Sequence, residues 1–174
     1  MKLLRMSKIA LFTSILSIGT VLIPPIPIGE INITLQTLII MICGLLLSPL
    51  DAFIAVVLYL LLGIIGLPVF SGFKSGLGVL LGPSGGYLFS FPIASFLISL
   101  FTKSQKFVPS LIITFVFGVL FVHLIGAIFM GLYLEKSFLL VFPMVAIFIP
   151  FDIVKCFIAS MLSHRLRLIP YFKR

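Results

Sequence analysis

The sequence predicts an all-α membrane protein, a single domain over residues 1–174 with six transmembrane helices, cytoplasmic termini and long outer loops that fold back re-entrantly. Three observations predict it. Of the 174 residues, 61% are hydrophobic and 9% charged, whereas a soluble domain carries about 25% charged residues. The mean hydropathy is +1.39, and apolar runs recur along the chain with Pro, Gly or charge between them. The cations are also segregated. In a six-span arrangement Lys2, Arg5, Lys8, Lys103, Lys106, Arg165, Arg167, Lys173 and Arg174 share one side, Lys74 and Lys136 take the other, and Lys155 falls within a span. Lys and Arg mark cytoplasmic loops, and an odd number of spans would put the basic tails on opposite faces. The net charge of +8 is therefore a signature of topology in a lipid bilayer, not of nucleic-acid binding. Six spans at about 20 residues each leave little but loops, which excludes a sizeable soluble catalytic domain.

The first span covers residues 7–23 and stops at Pro24-Pro25-Ile26-Pro27. No small-residue cleavage pattern follows it, so it reads as a retained helix, not a signal peptide. Ala10 and Ser14, like Thr13 and Ser17, are four apart. Such a stripe of small residues lets another helix approach closely, either inside the bundle or in a partner. The second span covers 35–47. The third covers 51–65, with Asp51 as its N-cap. The fourth, fifth and sixth cover 87–101, 108–133 and 138–163. Spans two to four are short for a full crossing, which implies tilt or re-entrant segments. The connection 67–86 is rich in Gly yet too apolar for water. It is expected to fold back against protein, the one place where irregular backbone is tolerated at membrane depth. Cys43 and Cys156 lie in apolar runs and read as small hydrophobic filler.

Asp152 and Lys155 are the most informative pair, with no other charge between Lys136 and Arg165. Each ionisable group near a bilayer centre costs about 2.5–3.5 kcal/mol on insertion scales, so such groups face the bundle interior. A spacing of three places both on one helical face. Pro150 is suited to a first helical turn, which puts Asp152 near a helix N-terminus. Two roles stay open: a structural ion pair, or a polar clamp that offers a small ligand one acceptor and one donor. Lys74, the sole cation in the long outer loop, suits either a headgroup or a ligand anion. Tyr87 follows Gly85-Gly86 and either donates its hydroxyl or anchors the interface. Gln36 serves either a helix–helix hydrogen bond or a ligand. His123 and His164 lack partners at metal-ligand spacing, and the chain has four acidic residues in all. No metal, cofactor or unaided ATP hydrolysis is expected, so energy must come from a partner.

Four segments carry a resemblance: Ile33-Thr34-Leu35-Gln36-Thr37-Leu38, residues 63–69, the Gly76–Tyr87 stretch ending Gly82-Pro83-Ser84-Gly85-Gly86-Tyr87, and residues 150–155. Together, in this order and spacing, they resemble BioY, the biotin-specific substrate-binding subunit of energy-coupling-factor vitamin transporters. The resemblance implies a six-helix subunit whose outward pocket is covered by the loops after helices one and three. It implies a membrane-embedded coupling subunit (the T subunit) and a pair of ABC ATPases as partners. Asp152 and Lys155 then contact biotin, Lys74 and Tyr87 fall at the pocket, and Gln36, Gly85 and Gly86 are further binding candidates. Ala10 and Ser14 become the docking stripe for the coupling subunit. The chain departs from the family in having Ser14 in place of the usual Ala, Phe151 where Gly is common, and Lys74 where an uncharged polar residue is typical. Biotin's chemistry is complementary: its ureido ring offers two N–H donors and a carbonyl, matching one carboxylate and one ammonium. The alternatives are a different small vitamin on the same scaffold, a small intramembrane enzyme using Asp152 and Lys155 as acid and base, or a purely structural subunit.

Overall fold

A computed structural model describes residues 2–22, 26–28, 31–104 and 106–172. Helix α1 (Lys2–Leu22) starts earlier than expected and carries Lys2, Arg5 and Lys8 on its first two turns. A short antiparallel hairpin follows, β1 (Ile26–Ile28) against β2 (Ile31–Ile33), with Ile26 opposite Ile33 and Ile28 opposite Ile31. It occupies part of the connection expected to be a loop; Pro24 and Pro25 lie outside the described residues. Next come α2 (Gln36–Leu46) and α3 (Pro49–Ile64). Asp51 is not the N-cap. Ser48 takes that position, because Pro49 is suited to the first helical turn and starts the helix earlier. Asp51 sits within that first turn and pairs with the Arg5 side chain of α1.

The connection after α3 folds back onto the bundle. Phe70 bridges to Lys74 through its backbone, and its ring stacks edge-on against Tyr59 at 5.7 Å. That ring presses on Gly63, where a Cβ would lie 2.1 Å from the Phe70 ring tip. A single turn, α4 (Leu77–Leu80), leads into α5 (Gly85–Phe101). Helices α6 (Phe107–Thr114) and α7 (Val122–Leu134) are joined without a break by a π-helical segment, Phe115–Phe121.

The expected sixth span is broken. α8 (Phe138–Ala146) and α9 (Ile149–Leu166) meet at 52°. Pro150 has no N–H to offer the Ala146 carbonyl one helical step back, so the helix ends and restarts. The restart places Asp152 in the first turn of α9. Among the described residues, Lys2–Val21 and Phe107–Leu134 are long and apolar enough to cross a membrane, and the bent α8–α9 pair gives a third span if counted as one. With α2, α3 and α5 also apolar, the fold is that of a membrane protein that is helical apart from the short hairpin.

The core lies where α2 packs against α5 and α9, and α3 against α1 and α5. Leu16, Ile40, Met41, Val56, Ile98 and Val119 are among its fully buried side chains. Cys43 and Cys156 are buried free thiols. One end of the bundle gathers the starts of α1 and α3 with the ends of α2, α5 and α9. There Arg167 donates to the Leu45 carbonyl at 2.6 Å and Ser99 to the Leu47 carbonyl at 2.7 Å. The opposite end is open.

Candidate ligand cavity

At that opposite end a cavity of about 530 Å³ lies between the first turns of α2, α5 and α9 and the folded-back 70–84 segment. This volume falls in the range that takes small-molecule ligands. Phe70, Phe91, Phe148 and Phe151 supply apolar wall, and Thr37, His123, Asp152 and Lys155 supply a polar cluster.

Asp152 and Lys155 form the centre of that cluster. The Lys155 ammonium donates to Asp152 Oδ1 at 2.7 Å and to Thr37 Oγ1 at 3.1 Å, while Thr37 donates to the same Oδ1 at 2.8 Å. Both charges are largely buried, with 6% of the Asp152 and 12% of the Lys155 side chain exposed. The second carboxylate oxygen, Oδ2, lies 3.4 Å from His123 Nε2. The pair is thus an ion pair that also faces a cavity, so the two roles left open by the sequence coexist.

Gln36 and Tyr87 line the same space. Gln36 is held by two neighbours: its amide nitrogen donates to the Tyr59 hydroxyl and its oxygen accepts from Thr34 Oγ1 at 3.1 Å. The Tyr59 hydroxyl in turn donates to the Val69 carbonyl at 3.0 Å, tying the folded-back segment to this network. Tyr87 lies against Gly126, where a Cβ would come within 2.4 Å of its ring, and meets His123 edge-on at 5.7 Å. Lys74 is exposed at the rim.

The chain as a whole is similar to known proteins. Residues 1–170 match the model of the BioY family. The chain belongs to the BioY family. It is 36% identical over 170 residues to a probable biotin transporter BioY of Pyrococcus horikoshii, covering 96% of this chain and 98% of that one. It is also 39% identical over 153 residues to a biotin transporter BioY of Lactococcus lactis, covering 83% and 81%. Among solved structures, the S-component for biotin from an ECF-type ABC transporter superposes with a TM-score of 0.93 at 36% identity, covering 99% of this chain and 95% of that one.

The remaining site candidates of this BioY-family chain divide. Gly85 and Gly86 do not line the cavity. They let α5 begin in close contact with its neighbours: a Cβ on Gly85 would lie 1.8 Å from the Leu80 carbonyl oxygen, and one on Gly86 2.3 Å from Phe129. The stripes on α1 also separate. Thr13 and Ser17 are buried, with Thr13 donating to the Ala55 carbonyl at 3.0 Å, while Ala10 and Ser14 face outward, exposed. Thr37 and His123 were not singled out as site residues by the sequence. Thr37 stands one position from Gln36 in the motif that carries the resemblance. His123 is 29 positions from Asp152, with no local pattern to mark it.

Proposed function

We propose that this chain is a biotin-uptake protein: the membrane-embedded, high-affinity biotin-binding subunit of an ECF-type transporter. Being a transport protein of its family, it is not an enzyme. The observation that carries the reading is a buried carboxylate–ammonium pair set in the wall of a cavity that also has a phenylalanine face. Two buried charges are costly to desolvate, and a ureido ring that supplies N–H donors and a carbonyl completes their hydrogen bonding. The thioether ring and methylene tail suit the phenylalanine wall, and Lys74 at the rim suits the terminal carboxylate. Asp152 and Lys155 are the principal contacts, with Tyr87, Gln36 and Lys74 around them.

The rods α1, α2, α3, α5, α6–α7 and α8–α9 make six crossings in this reading, with both termini in the cytoplasm of a cell whose plasma membrane holds the protein. The basic residues at the α1 and α9 ends support that orientation. Energy comes from an ABC ATPase pair acting through a coupling subunit, which docks on the exposed Ala10–Ser14 face. Equilibrium binding of labelled biotin to purified protein tests the function. Saturable, stoichiometric binding that excess thiamine or riboflavin leaves intact is expected; no binding, or equal competition by either vitamin, contradicts it.

A further inference from the structure

The cavity wall contains two buried polar atoms without a hydrogen-bond partner, the Tyr87 hydroxyl and His123 Nε2. Their residues are 8% and 3% exposed. Among the described residues, the other buried side-chain atoms in this condition, on Thr102, Thr114, Ser160 and Ser163, belong to residues that do not line the cavity. The His123 case is the more specific, because its proton can be placed. Nδ1 lies 3.0 Å from the Val119 carbonyl, inside the π-helical segment. A carbonyl oxygen only accepts, so Nδ1 carries the hydrogen. The neutral ring is favoured, because Lys155 already balances the charge of Asp152 and a protonated ring would leave the buried cluster with a net positive charge. Nε2 then presents a lone pair.

Nε2 lies 3.4 Å from Asp152 Oδ2. Asp152 takes both of its donors, Thr37 and Lys155, on Oδ1. Two acceptors therefore confront each other at the edge of the cavity with no donor between them, in a buried place where an unmade hydrogen bond is costly. We infer that His123 is a ligand-contacting, specificity-determining residue, whose Nε2 shares one ureido N–H of the bound ligand with Asp152 Oδ2. This rests on the biotin-binding reading above. A ligand lacking a donor at that point leaves the two acceptors opposed, so the pair selects for an N–H and against an oxygen or an alkylated nitrogen.

The test is equilibrium binding to the purified full chain, with biotin and its two mono-N-methyl ureido isomers as probes. His123→Asn keeps an N–H for the Val119 carbonyl and leaves nothing at the Nε2 position, whereas His123→Gln carries an amide oxygen there. His123→Phe fills the ring volume without a lone pair and serves as a second removal variant. The removal variants should weaken biotin about 10–100-fold, and H123Q should recover most of that loss. One methyl isomer, lacking the shared N–H, should bind wild type and the removal variants alike, while the other should lose affinity as biotin does. Wild-type affinity for biotin in both removal variants overturns the inference, as does a parallel loss for all three probes. Wild-type protein that binds no biotin overturns the underlying reading with it; tight wild-type binding unaffected by the variants overturns this inference alone.

Discussion

The two ends of the bundle handle buried charge in opposite ways. At the basic end the charged groups close on the protein itself: Arg5 on Asp51, and Arg167 on the last turn of α2 through the Leu45 carbonyl. At the cavity end Asp152 and Lys155 also meet, yet His123 Nε2, 3.4 Å from Asp152 Oδ2, and the Tyr87 hydroxyl are buried without a hydrogen-bond partner. A closed network adds rigidity, whereas a network short of partners is poised for a guest that completes it. On the proposed reading, the charges at the basic end hold the fold and those at the cavity end serve the ligand.

Substitutions at each end can break or sharpen this contrast. The largest effect is expected at the open pair. Asp152→Asn or Lys155→Ala should each cost about 2–5 kcal/mol of biotin affinity by equilibrium dialysis, as truncating one partner of a buried pair does, while the protein still purifies as a monodisperse species. Gly86→Ala should come next, since its Cβ would collide with Phe129. Overpacking of this kind costs about 1–3 kcal/mol, read as a thermal midpoint lowered by several degrees, with biotin affinity falling as Tyr87 shifts. Arg167→Ala, at the closed end, should remove about 1 kcal/mol of stability and leave affinity untouched; a loss of binding there would erase the distinction between the ends. The smallest effect belongs to Lys74→Ala. An exposed cation contributes below about 1 kcal/mol, and its loss should appear as slower, less salt-sensitive association.

Much of this arrangement was legible in the sequence because membrane burial leaves strong marks. Apolar run length gave the helices to within a few residues, and a lone Asp–Lys pair in greasy surroundings identified the polar side of the cavity. Pro150 announced the α9 start, although the 52° bend that swings Asp152 inward depends on how α8 packs. The hairpin escaped notice despite Ile26, Ile28, Ile31 and Ile33 alternating with other residues, because strands of three residues are shorter than any reliable period. Gly85 and Gly86 lay beside the site in sequence, but their meaning is steric and needs Leu80 and Phe129 to be visible. His123 was beyond reach for a related reason: its role comes from a π-helical register and from a carboxylate on another helix. Long-range juxtaposition of this kind leaves no trace in local spacing.

The central claim is that a ligand's ureido group completes the Asp152–Lys155 pair, and a crystal structure of the protein with biotin bound tests it most directly. The account predicts the ureido ring in the cavity, with an N–H within hydrogen-bond distance of Asp152 Oδ2 and the carbonyl within reach of Lys155 Nζ. Biotin bound elsewhere, or seated in the cavity with both charged groups untouched, would contradict it.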